Sequence, residues 1–255
     1  MKIVFHEDFK CTDYASASDT AALPGRMESI MMELLKESSY EVVSPKPALC
    51  KDIALAHSKI HIDNITKDKK LFGMASLSAG GAMLASEIAF KGEPAFACIR
   101  PPGHHASRNS TWDFCAFCNL GIALLKLKQK GYIKSAFVLD FDAHKGDGNI
   151  DVLSEWKDVK ILNPMADNNK DYIRIIEEHI SNIQHVDIVA VSAGFDIYEK
   201  DVGRKLKTFD FYVIGRILKK FTKRMRHNRR FAVLEGGYYL PDLGKNVLAF
   251  CQGFE

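Results

Sequence analysis

Several familiar catalytic signatures are missing from this chain. It has no Gly-x-Ser-x-Gly elbow, no Walker loop and no Gly-x-Gly-x-x-Gly fingerprint, so nothing supports a nucleophile-elbow, P-loop or dinucleotide mechanism. No Pro-, Gly- or Ser-rich stretch divides its 255 residues, and one continuous domain over 1–255 is expected. The opening apolar run Met1–Phe5 gives way at once to His6-Glu7-Asp8. That run is too short for a secretory leader or a membrane span, which points to a cytoplasmic protein without membrane contact. Cysteine is sparse and scattered: Cys11, Cys50, Cys98, Cys115, Cys118 and Cys251 suggest free thiols in a reducing compartment. Cys115-Ala-Phe-Cys118 has metal-ligand spacing, but no second pair accompanies it, and Phe114 and Phe117 around it fit a buried segment. Excess charge is lacking too, with a formal net of +3. The densest basic run, Lys219–Arg230, falls near the end of an amphipathic helix, where such residues are favoured, so a direct nucleic-acid partner is not expected.

What is present is an alternation of short apolar runs with longer helical ones. Strands are expected at Lys2–Phe5, Tyr40–Val43, Pro94–Ile99, Ser135–Phe141, Val186–Ser192 and Arg230–Leu234, each apolar enough to be buried on both faces. Helices are expected at Gly25–Lys36, Ser76–Lys91, Asn119–Lys130, Lys170–Ile183, Asp210–Met225 and Pro241–Phe250. This order is that of an α/β protein with a parallel sheet covered on both sides. Four of the strands run into unusual residues at their C-terminal ends: Arg100-Pro-Pro-Gly-His-His105, Asp140-Phe-Asp-Ala-His144, Ser192-Ala-Gly-Phe-Asp196 and Glu235-Gly-Gly-Tyr238. Ligands of open parallel sheets bind beyond those ends, so four segments converge on one place.

Asp142 and His144 are two apart on what begins as a strand, so they leave on the same side and can share a metal. Asp196, at the end of another strand, is the natural third ligand, leaving an open position for water as at catalytic zinc. Adjacent histidines His104 and His105 need hydrogen-bond partners if buried. Asp140 and Asp147 remain after the ligands are assigned and suggest two His–Asp dyads serving as general base and general acid. Gly236 and Gly237 allow positive φ or close approach to a ligand, which can direct the Tyr238 hydroxyl at an oxyanion. Together these parts describe hydrolysis of an amide-like carbonyl without a covalent enzyme intermediate.

Arg-Pro-Pro-Gly-His-His-Ala at 100–106, Asp-Phe-Asp-Ala-His-x-Gly-Asp-Gly at 140–148, Ser-Ala-Gly-Phe-Asp at 192–196 and Leu-Glu-Gly-Gly-Tyr at 234–238 resemble the four signatures of the zinc-dependent histone deacetylase superfamily. Leu23-Pro-Gly-Arg-Met27 resembles the family's N-terminal element, so the likeness spans about residues 1 to 254. The wording is closer to class II, acetylpolyamine and prokaryotic acetoin-utilisation members than to class I. The resemblance implies a three-layer arginase/deacetylase-type sandwich around a central, mostly parallel sheet. It implies Asp142, His144 and Asp196 as ligands of zinc, with ferrous iron as the alternative metal, and Tyr238 as the carbonyl-polarising donor. It pairs His105, as general base, with Asp147, and His104 with Asp140; it also implies a potassium ion beside Asp140, Asp142 and His144. The implied partners are an acetylated lysine in a protein or peptide, an acetylpolyamine, or a small acetylated amine.

The departures concern the substrate channel. Lys145 stands where the family usually has a second His, and Asp113 where a Gly precedes the Phe-Cys-x-Phe segment; Cys118 replaces the usual Asn. Phe114 still matches the channel-wall phenylalanine, with Gly236 and Gly237 at the channel floor. Between Val159 and Asp171 the family's Pro-Gly-Thr-Gly loop is missing, and Ile65–Ala75 lacks a clear rim aspartate. An open pocket is therefore expected, unless a second copy of the chain supplies the missing wall. Two other readings are an arginase-like ureohydrolase with two manganese ions and a binding protein that keeps the fold without turnover. Asp196-Ile-Tyr198 offers no second acid two residues on for the first, and the retained Tyr238, His104 and His105 argue against the second.

Overall fold

A computed structural model describes every residue of the chain except Ala17. The strands are β1 (Lys2–Val4), β2 (Glu41–Val43), β3 (Ala95–Ala97), β4 (Ala136–Asp140), β5 (Val159–Leu162), β6 (Ile188–Ala193) and β7 (Arg230–Leu234). They form one all-parallel sheet in the order β2-β1-β3-β7-β6-β4-β5. The last strand in sequence, β7, therefore lies in the middle, paired through Phe231 with Ala95 of β3 and Ala190 of β6. Strands β3, β4, β6 and β7 are buried along their whole length. That explains why they read as unbroken apolar runs instead of alternating ones.

The helices are α1 (Arg26–Leu34), α2 (Cys50–Ile53), α3 (Lys59–Ile65), α4 (Lys69–Phe90), α5 (Asn119–Gln129), α6 (Asp147–Leu153), α7 (Asn169–Ser181), α8 (Thr208–Arg224) and α9 (Leu240–Phe254). The long helix α4 packs against β1, β3 and β7 and beside α5, while α8 packs with α9, and α9 with α1. The result is a three-layer α/β sandwich. The short helices α2, α3 and α6 have no counterpart in the sequence reading, and two further features differ from it. Helix α4 starts seven residues before the expected Ser76, because the Asp68 carboxylate caps it by accepting from the N–H groups of Lys70 and Leu71. Strand β5 was not expected: Val159-Lys160-Ile161-Leu162 is a half-buried edge strand that keeps a lysine in solvent.

The packing beneath the sheet orients what lies above it. Phe141 and Phe195 immediately precede Asp142 and Asp196, and their rings meet at 5.6 Å. Phe195 lies 5.0 Å from Phe211 of α8, and Phe141 lies 5.3 Å from Phe250 of α9. Each such fully buried ring is worth about 1.5–3 kcal/mol. Fixing both rings against the α8/α9 layer turns the two carboxylates that follow away from it.

Candidate active site

Strands β3, β7, β6 and β4 are consecutive in the sheet, so the four segments singled out in the sequence emerge side by side. Asp142, His144 and Asp196 each bring one donor atom into a cluster spanning no more than 4.8 Å. His144 Nδ1 lies 3.1 Å from Asp142 Oδ1 and 3.1 Å from Asp196 Oδ2. The backbone fixes the carboxylates from behind: Gly236 N donates to Asp142 Oδ2 at 2.9 Å, and Ala143 N to Asp196 Oδ1 at 3.0 Å. A Cβ on Gly236 would stand 2.7 Å from Asp142 Oδ2, so the close approach excludes any side chain there.

The electrostatics of the cluster are those of a cation site. Burial and the neighbouring Asp142 charge raise the Asp196 carboxyl well above the usual carboxylate range. Burial pushes Asp142 up as well, but His104, His144 and Gly236 N outweigh it and hold that carboxyl low. The hydrogen bond to Asp142 and the close Asp196 carboxylate push His144 up to about 10. Asp196 Oδ2, although close to His144, is buried and receives no hydrogen bond of proper geometry. Two buried carboxylates, one imidazole and an orphaned oxygen fit a divalent cation with N/O ligands such as zinc or ferrous iron.

The expected His–Asp pairs both form. His104 Nδ1 lies 3.2 Å from Asp140 Oδ2, and His105 Nδ1 lies 2.7 Å from Asp147 Oδ1. The two rings are adjacent, with centroids 3.9 Å apart, yet their environments push them in opposite directions. His104 is deeply buried, which lowers its pKa, but Asp142 and Asp140 overcome this and hold it well above the ordinary histidine value. His105 is lowered by burial and by the charge of His104 beside it. The pair therefore divides into a cationic ring and a neutral one, as acid–base pairs do. The Nε2 of His105 has no hydrogen-bond partner, and its ring centroid lies 6.1 Å from that of His144.

Tyr238 leaves β7 through a turn that only glycine takes easily. Gly237 sits at φ 124°, and a Cβ there would meet Phe195 Cβ at 2.9 Å. The phenol is raised by burial and then by the negative fields of Asp142 and Asp196, so it is protonated at neutral pH and can donate a hydrogen bond.

The histone deacetylase domain model matches this chain over residues 21–167 and 161–254. The chain belongs to the histone deacetylase family. A probable deacetylase of Methanothermobacter thermautotrophicus is 26% identical over 284 residues, 91% of this chain and 84% of that protein. The polyamine deacetylase HDAC10 of Danio rerio is 25% identical over 274 residues, covering 91% of this chain and 40% of that larger protein. The crystal structure of the HDA15 HD domain superposes with a TM-score of 0.87 at 19% identity, over 99% of this chain and 88% of that one.

Within this family framework, the channel residues are placed as follows. Phe114 is half-buried, and Asp113 beside it is exposed with φ 54°. A left-handed residue there accounts for the family's usual glycine, and aspartate is one of the few other types that tolerate it. The Asp113 charge adds to the negative field that raises the Tyr238 phenol. Lys145 is exposed, with no ion pair among the described residues. The short connection after β5 holds the cluster loop through Asn163 Oδ1, which accepts from Gly146 N at 2.8 Å.

Other residues support the site without having been singled out from sequence. Glu235 accepts from Gly103 N at 2.7 Å and Ser192 Oγ at 2.9 Å, tying β3, β6 and β7 ends together; burial pushes it up to about 7 against the lowering charge of His104. Arg26 is fully buried and donates to the Gly237 and Glu235 carbonyls. Asp201 Oδ2 accepts from Tyr238 N at 2.6 Å and Tyr239 N at 2.7 Å. Asn149 Nδ2 donates to Asp140 Oδ2 at 3.1 Å, and Trp112 Nε1 to Asp147 Oδ2 at 2.8 Å. Glu235 and Arg26 stand inside motifs quoted from the sequence, without a role assigned to them there; Asp201, Asn149 and Trp112 carry no signal, since only tertiary contact defines them.

Proposed function

We propose that this chain is a metal-dependent amidohydrolase that removes acetyl or larger acyl groups from lysine side chains or polyamine-like amines. The observation that carries the reading is the pairing of two orphaned groups. The Asp142/His144/Asp196 cluster has an unpartnered carboxylate oxygen, and beside it the neutral His105 ring has an unpartnered Nε2. Held by Asp142, His144 and Asp196, a zinc or ferrous ion supplies Lewis acidity toward a carbonyl and makes water more acidic. His105 Nε2 accepts the proton of the attacking water, with Asp147 on Nδ1 fixing the tautomer and stabilising the imidazolium that forms. His104, held cationic by Asp140 and Asp142, favours negative charge developing nearby. Tyr238 donates to the carbonyl oxygen as that charge grows. A protonated histidine then returns the proton to the departing amine.

The exposed Asp113 carboxylate favours a cationic substrate. An acyl-lysine stem gains about 0.8 kcal/mol per methylene enclosed. A shortened wall opposite Phe114 should therefore relax the preference for acetyl. The test is a specificity screen with zinc- and iron-loaded protein, comparing acetyl-, butyryl- and bulkier acyl-lysines and acetylspermidine-type amines. The expected profile tolerates larger acyl groups and favours cationic substrates, weakening with salt. A strict acetyl-only profile from a monomer would contradict the open pocket, and no turnover of any acyl-amine would favour a binding protein of the same fold.

A further inference from the structure

We propose that Trp112 is a positioning residue for the His105–Asp147 dyad, gripping the imidazole by its face and the carboxylate by its second oxygen. This inference rests on the deacetylase reading above. The indole lies tilted against the His105 ring, with centroids 3.7 Å apart and 35° between planes. Its Nε1–H donates to Asp147 Oδ2 at 2.8 Å while His105 Nδ1 is bound to Asp147 Oδ1 at 2.7 Å. The two oxygens of one carboxylate are thus divided between the ring that works and the ring that holds.

The need for such a grip follows from comparing the two dyads. Asp140 is buried, and Asn149 Nδ2 fixes the oxygen that faces His104. The Asp147 side chain is 47% exposed at the start of α6; Gly148 N also donates to Oδ1 at 3.1 Å, but without the indole Oδ2 would be left to water. Trp112 does for Asp147 what Asn149 does for Asp140, and its ring also covers a face of His105 that water would otherwise reach. Holding up the loop does not require the indole. Ser107 N bonds Ser110 O at 2.8 Å, and Thr111 Oγ1 and Arg108 N are bonded to Cys115 O and Asp151 Oδ2. The ring itself is 49% exposed, so it was not placed there to fill the core.

The test separates positioning from substrate contact. Trp112→Phe keeps a stacking face and loses the N–H. The expected result is a fall in kcat of about 10- to 100-fold, the range for losing a group that orients a functional imidazole, with KM changed less than about twofold. Trp112→Ala, which loses both contacts, should fall further. A raised KM at unchanged kcat would make the indole a wall of the substrate channel, and unchanged constants would make it a bystander; either overturns the proposal. A second measurement does not depend on turnover. The Trp112 indole N–H proton, identified by its loss in Trp112→Phe, should be shifted downfield and protected from exchange in the parent. Asp147→Ala should move it to the position of a solvated indole while Trp156, bonded to Lys134 O, stays unchanged. A parent Trp112 resonance already at the solvated position overturns the proposal. A parent inert toward every acyl-amine, with this resonance still answering to Asp147→Ala, overturns the deacetylase reading and supports the clamp.

Discussion

Tyr238, the proposed oxyanion donor, hangs from a turn that the backbone holds closely. Its ring follows a glycine at φ 124°, and its own N–H is tied to Asp201. Removing the hydroxyl alone should leave the turn, the fold and metal uptake intact, because the phenol oxygen has no hydrogen bond to lose among the described residues. Tyr238→Phe is expected to lower kcat by about 10²–10³-fold, since the bond to the developing oxyanion exists only in the transition state. Steady-state kinetics beside elemental analysis check this. Full activity would reassign Tyr238 to packing. At this scale the sequence disclosed whatever local geometry could disclose. Asp142 and His144 were legible as a pair from their spacing of two just past a buried strand, although both stand in the bend after β4 and not on extended backbone. Trp112, Asn149 and Asp201 were not, because they meet their partners 35, 9 and 37 positions away through loops that carry no periodicity.

Among the elements, the segment leading from α2 into α3 controls the loop that carries the histidine pair. His57 Nδ1 donates to Ser107 O at 2.9 Å, and its Nε2 accepts from Cys118 N at 2.9 Å. The second bond requires a neutral ring, because a protonated Nε2 cannot accept. Burial, and then the charge of His61, push His57 down to about 3, against an ordinary value of 6.5. The unfolded chain takes up a proton below pH 6.5 while the folded chain resists until about 3. This ring's stabilisation is therefore complete above pH 6.5 and is lost as pH falls towards 3, with a slope approaching ~1.4 kcal/mol per pH unit. Gln at 57 can offer one donor and one acceptor without titrating. The melting-temperature gap between parent and His57→Gln should thus narrow from pH 7 to pH 4; a constant gap would mean that His57 is not held neutral. Element boundaries were legible where burial was complete, as in β4, β6 and β7. They failed where a segment keeps one side in water: Lys160 hid β5, and Lys69 and Lys70 hid the first turns of α4, whose start is set by the Asp68 cap.

For the whole molecule, the proposed cation site at Asp142 and Asp196 predicts that stability depends on cation supply. A ligand that binds only the folded chain stabilises it by about 2.7 kcal/mol at a hundredfold excess over Kd, which for a chain of this size raises the midpoint by roughly 5–10 °C. Zinc added to chelator-treated protein should produce that rise in the parent and none in Asp196→Ala, measured by differential scanning fluorimetry. An equal rise in the variant would place the cation elsewhere.

The central position of β7 bears on how the protein comes into being. A ribosome delivers β1, β2 and β3 early, and β4, β5 and β6 later, but the strand that joins the two triplets, Arg230–Leu234, emerges almost last. Until then His104 and His105 belong to one half-sheet and Asp142, His144 and Asp196 to the other, so no partial product of translation can assemble the chemistry. Until β7 pairs with them, β3 and β6 each lack a neighbour on that side, and an unpaired, largely apolar strand edge is the kind of surface on which nascent chains stick to one another. The strand that brings the two halves of the site together is thus the same one that covers both edges.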